Sequence, residues 1–274
     1  MILALSRGVY YAATMFLFGD AAFGVLLRAK LPLIAPVRLW VLRWAALLLA
    51  LLAACLWLGL AAAQMAGTMN GEVLEETLTA TLFGHLFLAR LAALSSMALL
   101  LLFWRSGRLT AILAASALAL PAATSHAALA SPAGFGAIGT ILDGAHLLTA
   151  GFWIGGLVVL AALFRRQEPN LVLALSLFSD WAMMAVLLLV MTGLIDAASI
   201  LLGGEGAPSM IYLWVLAAKL ALVGVMLWLA SANRFKWLPR NKQDIIARNT
   251  IRELMLGIVV ALLAGALGQL QPLL

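Results

Sequence analysis

Apolar residues run along this chain in long unbroken blocks, cut by short polar interruptions, with neither the alternation of strands nor the narrow stripe of a surface helix. Crossing about 30 Å of hydrocarbon takes roughly 20 helical residues. Segmented at its charges, prolines and glycines, the pattern predicts eight helices over residues 8–27, 39–63, 78–104, 110–130, 138–164, 171–199, 211–232 and 250–270. The expected fold is all-α: a polytopic membrane helix bundle, one transmembrane domain over residues 1–274.

Composition supports this. A chain of 274 residues that is 65% hydrophobic and 10% charged carries more apolar surface than a soluble core can hide, so its solvent is the lipid bilayer. The net charge of +6 does not point to nucleic acid, because the basic residues cluster between apolar blocks. The first, third, fifth and seventh loops carry Arg28, Lys30, Arg38 and Arg43, then Arg105 and Arg108, then Arg165 and Arg166, then Arg234, Lys236, Arg240, Lys242 and Arg248. The even loops hold no Lys or Arg; one carries Glu72, Glu75 and Glu76, another Glu205, and the one around Pro132 is small and neutral. Because cytoplasmic loops retain Lys and Arg, both termini are expected in the periplasm and the protein in a bacterial inner membrane. The lone Cys55 excludes an internal disulfide or a CxxC metal site. Residues 1–10 lack the pattern of a cleaved secretory leader, so the first helix is expected to be retained.

An ionisable residue inside an apolar span costs a few kcal/mol and is a functional candidate by default. Asp20, His85, Arg90, Asp143, His146, Asp180, Asp196 and Lys219 fall in the predicted spans, with His126 near the periplasmic end of the fourth. By helical rise, all three histidines fall in the outer half of the membrane on consecutive helices. Asp143 and His146 are three residues apart and share a face, and Trp153 lies seven beyond His146 on the same stripe. A carboxylate beside an imidazole can fix its tautomer or share a metal with it, or simply hold two helices together. Gly151 and Gly155 form a small-xxx-small pair that invites close approach of another helix. Asp180, Met184 and Met191, with Met183 at the edge, align on the sixth helix; thioethers suit Cu(I), so they form a candidate pathway, or gap-filling core. Depth alone suggests two buried charge pairs, Arg90 with Asp20 and Lys219 with Asp196, with Asp143 a second candidate for Lys219.

The stretch from Asp143 through His146 and Trp153 to Gly155-Gly156-Leu157 resembles the D-x-x-H-x6-W-x-G-G-L signature of the copper resistance protein D (CopD) family. Leu177-Phe178-Ser179 with Thr192-Gly193, and Lys219-Leu220 with Asn233-Arg234, resemble that family's F-S…T-G and K-L…N-R elements. These blocks cover 143–234; the first half is similar in helix pattern and in Arg90. Where a tyrosine-glycine pair is expected ahead of Lys219, Met210-Ile211-Tyr212 stands instead. The resemblance implies an inner-membrane protein linked to periplasmic copper, sometimes working with a CopC-like copper carrier, and favours Asp143, His146 and Trp153, with Lys219 and Asn233 as further family positions.

The expectation is therefore a copper transport or delivery protein, with the copper ion captured by His126, His146, Asp143 and His85. It is not an enzyme; no Walker loop is present, so ATP-driven pumping by this chain alone is not expected. The rivals are a haem-binding electron-transfer protein with His85 and His146 as axial ligands, and a non-transporting scaffold.

Overall fold

The computed structural model describes residues 1–32, 39–68, 70–103, 107–125, 136–202 and 208–272. Nine α-helices account for most of them: α1 (Ile2–Lys30), α2 (Trp40–Ala66), α3 (Gly71–Ala80), α4 (Leu82–Phe103), α5 (Gly107–Ala119), α6 (Gly136–Arg165), α7 (Leu171–Leu202), α8 (Met210–Ala232) and α9 (Gln243–Leu267). A 3₁₀ turn, Leu120–Thr124, extends α5, and a π-helical turn, Asn233–Trp237, extends α8. Eight helices are long and apolar enough to cross a membrane, as the apolar blocks predict, and the chain is a multi-pass membrane protein. The ninth, α3, lies in the acidic loop. Asn70 caps it, its side chain accepting the Val73 N–H at 2.8 Å, and Glu72 sits in the first turn where the helix dipole favours negative charge.

The bundle is organised around its first helix. α1 packs on α2, α5, α6 and α9, while α4 packs on α2, α3 and α5, and α8 packs chiefly on α9. Without a hydrophobic drive between helices in lipid, close backbone approach through small residues supplies the attraction. Gly19 of α1 meets Gly151 and Gly155 of α6 so closely that a Cβ on Gly19 would fall 2.6 Å from Gly155 Cα and closer still to the Gly151 carbonyl. This is the predicted small-xxx-small contact, with Gly19 as its counterpart. Both chain termini lie at one end: the Arg7 guanidinium donates to the Gly268 carbonyl, and the Ser209 N–H to the Pro272 carbonyl at 2.8 Å. We call this the terminal face and the opposite end, where Arg28 approaches Gly107, the basic face.

The first buried charge pair is not the one that depth suggested. α1 begins at Ile2, so Asp20 lies about 27 Å from the terminal face, whereas Arg90 is about 12 Å from it on α4. Asp20 instead receives both the Nε–H and an Nη–H of Arg43, which reaches inward from the start of α2. Arg90, 1% exposed, is held by rings: its guanidinium carbon lies 4.7 Å from the Trp57 centroid and between 5.5 and 5.7 Å from those of Phe83, Phe87 and Tyr10. Its Nε–H donates to the Leu86 carbonyl at 3.2 Å. Arg7 stacks on the same indole at 4.9 Å. Aromatic quadrupoles thus do for Arg90 what a carboxylate was expected to do.

Candidate functional site

α6 carries the whole D-x-x-H-x6-W-x-G-G-L stretch, from Asp143 to Leu157. Its glycines settle which way it faces: Gly151 and Gly155 take the side against α1, and Gly156 lies under the Phe178 ring of α7. His146 is left facing α7. Its Nδ1 lies 3.1 Å from the Leu189 carbonyl and 3.2 Å from Thr192 Oγ1. A carbonyl only accepts, so Nδ1 carries the proton and donates. Thr192 spends its own proton on the Leu188 carbonyl at 2.8 Å, leaving its lone pairs for the imidazole. When neutral, the ring therefore keeps its lone pair on Nε2, the arrangement that metal-binding histidines use when a neighbour holds the other nitrogen. Gly193 completes the cradle, since a Cβ there would sit 2.9 Å from His146 Cε1. The threonine-glycine pair of the F-S…T-G element is thus the seat of this histidine.

Around it lies a charged set drawn from three helices. Asp143, one turn toward the terminal face, hydrogen-bonds Ser125 and is in electrostatic reach of Lys219 on α8. Lys219 interacts with both Asp143 and Asp196 of α7, so the two expected partners share it. His146 feels the same ammonium. Among the described residues, no three His, Cys, Asp or Glu side chains converge on a single metal-binding point. His126, which follows Ser125 in sequence, lies outside the described residues.

Other candidates stand apart from this set. His85 is exposed, and its Nε2 donates to the Thr79 carbonyl at 2.9 Å, tying α4 to the end of α3. The span breaks at Thr81, which puts His85 in the first turn of α4 instead of deep in the membrane. α6 packs on α1, α5, α7 and α9, so the geometry does not bring His85 and His146 together, either as metal ligands or as a haem pair. Met184 and Met191 are 62% and 53% exposed and point out of the bundle, so they do not line an internal path; Met183, 48% exposed, also lines a pocket. Asp180 pairs with Arg234 at 2.9 Å near the basic face.

Residues 1–137 match the family model described as Copper resistance protein D-like, N-terminal domain, and residues 172–267 match Copper resistance protein D. The chain belongs to the copper resistance protein D family. The Asp143–Leu157 stretch falls between the two matched ranges. Copper transport protein CutJ of Bacillus subtilis (strain 168) is a relative, 28% identical over 146 residues, or 52% of this chain. That match covers 26% of CutJ, so the chain spans about a quarter of its relative's length. No solved structure matches. Family and relative together place this protein in a copper-related membrane function.

The CopD-family elements also build a second constellation, toward the basic face. The indole N–H of Trp153 reaches the carboxylate of Glu253 on α9, which also accepts from Asn233 Nδ2 at 2.8 Å. Asn233 Oδ1 in turn accepts from Asn249 Nδ2 at 2.8 Å. Arg234 donates to Ser179 at 2.6 Å and to Asp180. The asparagine-arginine pair of the family's K-L…N-R element thus grips α9 with one residue and α7 with the next. Glu253, 2% exposed, is the functional candidate that sequence reasoning missed. The predicted eighth span began at residue 250 and left it at the interface, whereas α9 begins at Gln243 and buries it about 15 Å deep.

Proposed function

We propose that this CopD-family protein transports or delivers copper across a bacterial inner membrane, taking up the ion at His146. The observation that carries this reading is the fixed tautomer of His146: Leu189 and Thr192 hold Nδ1–H and leave the Nε2 lone pair for a metal. Asp143 and Asp196 supply negative charge nearby, and with Lys219 between them the trio carries one net negative charge when all are ionised, which a monovalent copper ion cancels. The basic face is the cytoplasmic side in this proposal and the terminal face receives copper from the periplasm, directly or from a CopC-like carrier. The site works without ATP, so flux follows a gradient or a coupled ion.

The test is Cu(I) binding by the purified protein under a competing chelator, with cellular copper content measured in parallel. His146→Ala is expected to weaken binding by about tenfold or more in protein that still folds, its stability lowered by about 1 kcal/mol for the lost bond to α7. Undiminished copper binding in this variant, with undiminished accumulation in cells, overturns the proposal. A strong Soret band from the purified wild type overturns it in favour of haem.

A further inference from the structure

Glu253 is buried among neutral donors. Trp153 and Asn233 are its hydrogen-bond partners, and the amide chain continues through Asn249 before it reaches Arg252, whose guanidinium lies 3.3 Å from Asn249 Oδ1. A carboxylate buried in the membrane among uncharged partners is neutralised either by a proton or by a cation, and a pocket beside it admits the second. A pocket of about 140 Å³ between α7 and α8 is lined by Glu253, Trp153, Met183, Asn233 and Thr250 on a largely aliphatic wall. Arg234, the cation in that lining, is turned to Asp180 and Ser179. The lining also carries the Ser179, Ser231 and Thr250 hydroxyls; of the groups present, the Glu253 carboxylate, the Met183 thioether and the Trp153 indole suit a soft monovalent ion, since thioether sulfur selects Cu(I) and an aromatic face attracts a cation.

Position adds to chemistry. Trp153 is seven residues beyond His146 on α6, two turns and roughly 10 Å closer to the basic face, on the same stripe. We propose that this pocket is a second copper site, in which Glu253, Met183 and Trp153 receive Cu(I) passed along α6 from His146. The proposal rests on the copper reading above and deepens it: the two halves of the D-x-x-H-x6-W signature serve successive sites, His146 the first and Trp153 the second. Asn233 and Asn249 are positioning residues that aim the carboxylate.

The experiment is anaerobic titration of the full-length protein in nanodiscs with Cu(I), and with Ag(I) as a redox-inert stand-in, against a competing chelator. X-ray absorption at the copper edge reports the ligands. Wild type is expected to hold about two ions per chain, Glu253→Gln and His146→Ala about one each, and the double variant none. Met183→Leu, close in volume, is expected to remove a sulfur scatterer and weaken the second ion about tenfold. Full binding by Glu253→Gln with loss in His146→Ala overturns the second site and leaves the first standing; binding unchanged in both overturns both. If Glu253→Gln fails to fold, Met183→Leu decides: a wild-type spectrum without sulfur, or unaltered affinity in this variant, refutes the assignment.

Discussion

The crossing of α1 and α6 sets the frame for everything His146 does, and one methyl group tests it. In Gly19→Ala the new Cβ would lie 2.6 Å from Gly155 Cα, where ordinary contact begins at 3.4 Å, and its other near neighbour is the Gly151 carbonyl oxygen. Both are backbone atoms, which no rotamer change can move aside, so the helices must separate. Overpacking of this kind costs about 1–3 kcal/mol, and two rigid neighbours put this site at the upper end. Replacing helical glycine by alanine returns up to about 1 kcal/mol, leaving a net loss of about 2 kcal/mol. Gly24, five residues along the same helix, is the internal control, because a Cβ there meets nothing within 4 Å. Gly24→Ala is expected to be neutral or stabilising by about 0.5–1 kcal/mol. The assay is reversible unfolding in mixed micelles, with Cu(I) binding measured on the folded fraction. Gly19→Ala should unfold earlier than Gly24→Ala and bind copper less well, since a displaced α6 shifts the histidine in its seat against Leu189 and Thr192. Equal stability of the two variants refutes the reasoning.

Three further outcomes are expected. Gly193→Ala places a Cβ 2.9 Å from His146 Cε1 and should turn the ring off Leu189, lowering copper affinity about tenfold while stability changes by less than about 1 kcal/mol; titration beside a melting curve reads both. Asp20→Ala breaks the pair with Arg43 and should cost about 3 kcal/mol, the low end for a buried pair because the Arg43 side chain is 29% exposed; reversible unfolding measures it, and a loss under about 1 kcal/mol refutes the pair's weight. His85→Ala removes only the bond to Thr79 and should leave copper stoichiometry intact; a lost ion would restore His85 to the site.

What was legible in the sequence follows from what a membrane demands locally. Length and apolarity set each span, so the eight crossings and the gathering of Lys and Arg between alternate pairs were readable residue by residue. The Gly151–Gly155 pair was readable as a contact surface, though not that Gly19 would fill it. Depth was readable only as well as helix starts were. Six residues' error at α1 and seven at α9 produced the Asp20–Arg90 pairing and hid Glu253. A break at Thr81 that no proline marks moved His85 to the surface. Azimuth was not readable at all: Met184 and Met191 share a stripe, but which way that stripe faces depends on how α7 packs against α6. Lys219 fared better because two carboxylates at matching depth compete for one ammonium, and either choice leads to the same cluster.

The placing of α1 at the middle of the bundle also bears on how the protein is made. Two of the four helices that pack on α1 are made long after it: α6 follows more than a hundred residues later, and α9, whose Gly265 seats against Ala4 and Gly8, later still. Ser6 and Thr14 bond carbonyls of their own helix, Leu3 and Tyr10, but the Asp20 carboxylate, buried in the finished protein, needs a partner from another helix. Arg43 arrives early enough, on the very next helix, to neutralise Asp20 during insertion. Truncation after α5 should therefore leave α1 covered by α2 and α5 but bare on its α6 and α9 sides, and open to membrane proteolysis there.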